Sequence, residues 1–131
     1  MKKILSVLAI CMTFCFITSC NTNDANSSVV GDWHSSYCTI SYIDTDKGGG
    51  YVTEKEYGSI DLYMHEDHSF TWHSEEKHST YGTWLQNGNQ LKMSYEGEEL
   101  VVYTIETLKS KEMVLRRDMG NGYVDYYFTK R

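Results

Sequence analysis

From Ile60 onward, apolar side chains recur at every second position. The stretch "SIDLYMH" sets Ile60, Leu62 and Met64 on one side, and "QLKMSY" does the same with Leu91, Met93 and Tyr95. In "ELVVYTIETL", Val101, Tyr103 and Ile105 alternate with Leu100, Val102 and Thr104, so both sides carry apolar groups. "EMVLRR" points Met113 and Leu115 inward, and "YVDYYFTK" aligns Val124, Tyr126 and Phe128. A period of two is the mark of half-buried strands, because successive side chains leave opposite faces of the backbone. Turn chemistry separates these stretches: Gly48-Gly49-Gly50, Asn87-Gly88-Asn89, Glu96-Gly97 and Gly120-Asn121-Gly122. Eight or nine short strands follow from Val30 onward, joined by connections too short for helices. Short links favour antiparallel neighbours in sequence order. The predicted fold class is all-β: a small antiparallel up-and-down barrel of about eight strands, whose closure removes exposed edges.

The first twenty residues break the pattern. Lys2 and Lys3 precede an uncharged apolar run from Ile4 to Thr18. Fifteen residues fall short of the ~20 that cross a bilayer as a helix, and the layout is that of an export leader. The four residues Ile17-Thr18-Ser19-Cys20 resemble the lipobox of bacterial lipoproteins. That resemblance implies cleavage before Cys20, thioether lipidation of its sulfur and acylation of the new amino terminus, and two or more acyl chains make a stable anchor. The expected organisation is a leader at 1–19, the lipidated cysteine and a flexible polar tether at 20–28, and one domain at 29–131. The expected mature chain of 112 residues carries ten Lys and Arg against eighteen Asp and Glu, a net charge of about −8. Such a surface argues against nucleic acid as a partner and against broad contact with anionic headgroups. Cys11 and Cys15 would leave with the leader and Cys20 would carry lipid, so Cys38 is expected to be a lone thiol with no disulfide.

Candidate chemistry is sparse. "HEDHSFTWHSEEKH" holds four of the five histidines. A six-residue strand from Ser69 to Ser74 spans roughly 20 Å, whereas zinc needs its nitrogens ~2.0–2.1 Å from one point, so the four cannot converge. If Phe70 opposes Trp84 and Trp72 opposes Gly82, a three-residue loop Glu76-Lys77-His78 closes the hairpin and His73 points outward beside Tyr81. No metal site is expected; His73 and His78 are the weak candidates. "DTDKGGGYVTEKE" imitates an EF-hand opening with Asp44, Asp46 and Gly49, but Lys55 stands where the bidentate glutamate belongs. A glycine-rich link between the first two strands explains it. His34 and Cys38 would share one face of an extended chain ~13 Å apart, and the chain has no G-x-S-x-G. The carboxylate pairs Glu75/Glu76 and Glu98/Glu99 adjoin turns, where they favour solubility. No enzyme activity and no cofactor are expected.

Eleven tyrosines and three tryptophans enrich the domain in rings that prefer one apolar and one wet side. "VVGDWHSS", "SFTW", "YGTWLQNGNQLKMS" and the terminal "YYFTKR" together resemble the small lipocalin-like domains of Bacteroidota lipoproteins. The resemblance implies a barrel outside the cytoplasm, lipid-anchored in the cell envelope, at the outer rather than the inner membrane. It implies no particular ligand, since fold does not fix function. The expected function is binding of a small apolar or aromatic ligand. Residues expected to line the pocket, or else to fill the core, are Trp33, Phe70, Trp72, Trp84, Tyr95, Val102 and Tyr126. The rival expectation is an interaction or inhibitor module with a filled barrel that docks another envelope protein.

Overall fold

The computed structural model describes residues 27–76, 79–96 and 100–131. The expected leader, Cys20 and all but the last two residues of the tether lie outside the described residues. Eight strands follow one another: β1 (Gly31–Asp44), β2 (Gly50–Met64), β3 (Ser69–Ser74), β4 (Thr80–Asn87), β5 (Gln90–Tyr95), β6 (Leu100–Leu108), β7 (Glu112–Asp118) and β8 (Gly122–Lys130). Each pairs antiparallel with the next, and β1 pairs with β8 to close the barrel. The predicted meander is therefore the observed one.

Up-and-down order sends the β1–β2, β3–β4, β5–β6 and β7–β8 connections to one end. The termini and the other three turns share the opposite end. That second end is closed: Val29 is buried, and the Trp33 indole N–H donates to its carbonyl at 2.8 Å. The Arg131 amide donates to Asp32 O at 2.9 Å, tying the two chain ends together. Leu62, Met64, Leu91, Met93, Met113 and Leu115 fill the space above, all at 0–2% exposure. These are the residues that the period-two pattern turns inward.

Four expectations change. First, β1 and β2 run 14 and 15 residues, far beyond short strands. The β2–β3 ladder spans only Ile60↔Ser74 to Met64↔Phe70, so residues 50–59 of β2 pair with β1 alone and no described strand flanks their other edge. Second, the β3–β4 register places Phe70 opposite Gly82 and Trp72 opposite Thr80, two residues from the expected pairing. A shift of two keeps every side chain on its face. The observed register sets the Phe70 ring over Gly82, where a Cβ would stand 2.8 Å from it, so the one residue without a side chain takes the place opposite the ring. Third, the pairing of β1 slips between Ser35 and Tyr37, so simple alternation does not carry His34 and Cys38 to one face. His34 instead bonds the outward Asp61, while Cys38 pairs with the inward Tyr126. Fourth, Val102 is 40% exposed and faces outward beside Lys92, because Val101, Tyr103 and Ile105 are the inward set of β6.

With Gly122, Gly82 is one of two tight points in the wall. A Cβ there would sit 2.0 Å from the Ser94 carbonyl oxygen and 2.8 Å from the Phe70 ring. Gly58, on the free part of β2, has nothing within 4 Å. Gly82→Ala is expected to cost about 1–3 kcal/mol through overpacking, and Gly58→Ala to stay within about 0.5 kcal/mol of the parent. Urea denaturation of both variants checks this; equal costs would sink the packing account.

Candidate functional site

Trp72 stands at the centre of the barrel. Its ring stacks on Tyr103 (6.1 Å, 17°) and meets Tyr126 and Phe128 edge-on at 5.4 and 5.9 Å. Phe70 meets Tyr95 edge-on at 5.3 Å, and the Tyr95 and Tyr103 hydroxyls lie 3.4 Å apart. Burial first, and then Tyr95, hold the Tyr103 hydroxyl far above its ordinary pKa. This aromatic layer is a neutral, hydrogen-bonded plug across the barrel.

Above it, at the end away from the termini, lies a cavity of ≈ 260 Å³. Trp72 and Tyr126 meet it from below, and Cys38, Ile60 and Ser74 from the sides. Its mouth carries Glu56 and Tyr57 of β2, with Glu75 and Glu76 just past β3. The cavity lies where β2 outruns β3. The long hairpin supplies one wall and the end of β3 the other, with an opening between them. Burial, reinforced by Glu56, pushes the Cys38 thiol above its ordinary value. The Tyr126 hydroxyl is raised by burial foremost, then by Cys38, with a smaller push from Glu56 and an opposing one from Arg117. An apolar floor under a wet, acidic rim can hold a small molecule with an apolar body and a polar end.

Of the residues expected to line a pocket, the structure brings only Trp72 and Tyr126 to this cavity. Trp33 and Phe70 are buried in the filled part of the barrel, and Tyr95 supports the aromatic layer. Trp84 is buried near the closed end, where its indole N–H donates to His65 O at 3.1 Å. Val102 lies outside.

The histidines divide by the same geometry. His65 and His68 belong to the β2–β3 turn. His68 has φ 69°, stacks on Trp84 at 4.5 Å and bonds the Trp84 carbonyl through Nδ1 at 3.1 Å. Asp67 caps the turn by accepting from the Ser69 hydroxyl at 2.5 Å and from the Ser69 amide at 2.9 Å, and the hydroxyl first, then the amide, holds its carboxyl below the usual range. His73 lies 3.0 Å from the Ser79 hydroxyl, and His78 is outside the described residues. No group of three or more potential metal ligands converges among the described residues.

Sequence reasoning missed Cys38, Glu56, Tyr57, Ile60 and Ser74 as a group. The available signal was "YVTEKEYGSI", which alternates Val52, Glu54, Glu56, Gly58 and Ile60 on the inward side. An inward row that turns from apolar to acidic marks a strand leaving the core for a mouth. A second unforeseen group lies on the outer wall, where Arg116 grips the buried Asp125 at 2.8 and 3.0 Å and covers the Tyr123 ring at 3.8 Å. It braces β7 against β8 and faces away from the cavity.

No protein-family model, no curated protein and no solved structure matches this chain.

The environment of Cys38 sets its reactivity, because the thiolate is the nucleophile. Alkylation followed at the Cys38 peptide by mass spectrometry is expected to reach half its maximal rate at a higher pH than free cysteine does. Glu56→Gln is expected to move that midpoint down. A midpoint at or below that of free cysteine would contradict the assigned surroundings.

Proposed function

We propose that this chain is a non-enzymatic binding barrel that takes one small ligand with an apolar or aromatic body into the cavity above Trp72 and Tyr126. The observation that carries the reading is the cavity itself. An eight-stranded barrel either fills its interior with side chains or holds one small molecule, and this one is filled from the closed end up to the aromatic layer. The ≈ 260 Å³ left over equals about nine waters' worth of space. That is below the ~300–1,000 Å³ typical of drug-sized ligands, so the ligand is small. The raised pKa of Cys38 disfavours the thiolate that nucleophilic catalysis requires, which supports binding over turnover.

In this reading the protein is a lipocalin-like lipoprotein of the cell envelope, cut before Cys20 and anchored at the outer membrane by lipid. The lipobox-like Ile17-Thr18-Ser19-Cys20 and the polar stretch after it support that part. The tether joins the domain at its closed end, next to Val29, so the cavity opens away from the point of attachment. A second reading, docking of another envelope protein, draws on the free edge of β2 and its exposed Tyr51 and Tyr57. An extended segment could add there as a further strand.

Native mass spectrometry of the protein recovered from envelope extract tests the first reading. One small-molecule adduct per chain is expected, and it should disappear in Cys38→Phe, which fills the cavity from β1, while thermal unfolding shows that the variant still folds. A bare parent mass, or a mass that includes a second protein, would overturn it.

A further inference from the structure

We infer that the cavity selects an organic cation: an ammonium or guanidinium group carried on a small apolar or aromatic body. The inference rests on the ligand-binding reading above and adds the charge of the ligand to it.

Three observations carry it. The lining residues include the carboxylates of Glu56, Glu75 and Glu76 and no lysine, arginine or histidine among the described residues. Among the described residues the charged side chains that line the mouth are all negative, so a cation entering it is attracted and an anion repelled by all three. Next, the inward Trp72 and Tyr126 stand at the cavity, with Tyr37 and Tyr57 at its edge, and the negative face of an aromatic ring attracts a cation within about 6 Å. On the outer wall the Tyr37 and Tyr57 pair already holds a cation in that way: Lys55 Nζ lies 4.0 Å from the Tyr37 centroid and 5.1 Å from that of Tyr57. Third, the field reaches the interior, since Glu56 acts on both the Cys38 thiol and the Tyr126 hydroxyl.

Two cations stand near the cavity and limit the effect. Lys55 holds the outer side of the tyrosine pair, and Arg117, on the inward row of β7 beside Val124, acts on Tyr126 without lining the cavity. The three glutamates are exposed, so their pull is screened by water and salt. Selectivity of about tenfold is what partly screened charges together with a cation–π contact supply. A metal ion is not the occupant the geometry favours, because no three ligating groups converge among the described residues.

The test compares three probes of similar shape: 2-phenylethylammonium, 2-phenylethanol and 3-phenylpropionate. Each is titrated into the folded protein by calorimetry and by the NMR signal of the Trp72 indole N–H, assigned with Trp72→Phe. The ammonium is expected to bind about tenfold more tightly than the alcohol, and the carboxylate most weakly. The combined change Glu56→Gln, Glu75→Gln and Glu76→Gln should bring ammonium and alcohol within about threefold of each other, with the alcohol unchanged. Added salt at about 1 M, where the Debye length is ~3 Å, should narrow the gap in the unaltered protein, and this arm does not depend on any variant folding. Equal affinities for the three probes, all moving the Trp72 signal, would overturn the cation inference and leave the pocket reading standing. A Trp72 signal that none of the probes moves would overturn both.

Discussion

Strand β1 must satisfy two partners at once, and the site depends on how it does so. It pairs with β2 along its whole length and with β8 over Trp33–His34 and again over Cys38–Tyr42. Without the second pairing the sheet has two open edges and no interior. The two ladders are out of step, and the slip between Ser35 and Tyr37 reconciles them. A slip of this kind reverses which side chains face in. Below it Trp33 is inward and seals the closed end; above it Cys38 is inward and meets Tyr126. The residue that seals the closed end, Trp33, and the residue that lines the cavity wall, Cys38, thus sit on one strand, five positions apart, because of one irregularity.

The aromatic layer divides the interior between stability and function. Below Trp72 and Tyr103 the barrel is packed with aliphatic and methionine side chains whose burial contributes ~25 cal/mol per Å² of apolar area. Above them, the long hairpin is held by β1–β2 pairing and by β8, with little core beneath it. Structure with few buried apolar contacts opens at low cost, a freedom that the proposed binding function would use to admit its ligand. The rigid plug then provides a fixed floor. Edge-to-face rings add ~0.5–1.5 kcal/mol per pair beyond their area, which keeps Trp72 in place whether or not anything rests on it.

The sequence was most legible where the physics is strongest. A period of two marked Leu62, Met64, Leu91, Met93, Met113, Leu115 and Phe128 as inward, and all are buried. Short links then fixed the meander. The β3–β4 register went astray by two because parity, the strong signal, is unchanged by that shift; the position of Gly82 beneath Phe70 and Ser94 O decides it instead. Val102 was misplaced because both sides of β6 are apolar at its start. The cavity was nearly invisible for a deeper reason. Residues that line a mouth are half wet, so Glu56, Tyr57 and Ser74 follow neither the core pattern nor the surface pattern. Tyr126 and Trp72 could be read as inward, yet nothing in their spacing tells a ring that fills a core from one that floors a pocket.

The free edge of β2 tests whether these parts form one consistent design. An unpaired strand edge invites another strand, and most proteins cover or charge it. Here Glu54, Lys55 and Glu56 occupy its middle. Two such edges brought together antiparallel about Lys55 would set Lys55 against its own copy and Glu54 against Glu56, like charge opposing like at each of these positions. Cross-strand pairs of like sign destabilise a ladder, so the protein's own second copy is a poor occupant. The same Glu56 that guards the edge also charges the mouth of the cavity beside it. One carboxylate therefore discourages self-pairing and, in the proposed function, favours a small ligand of opposite sign.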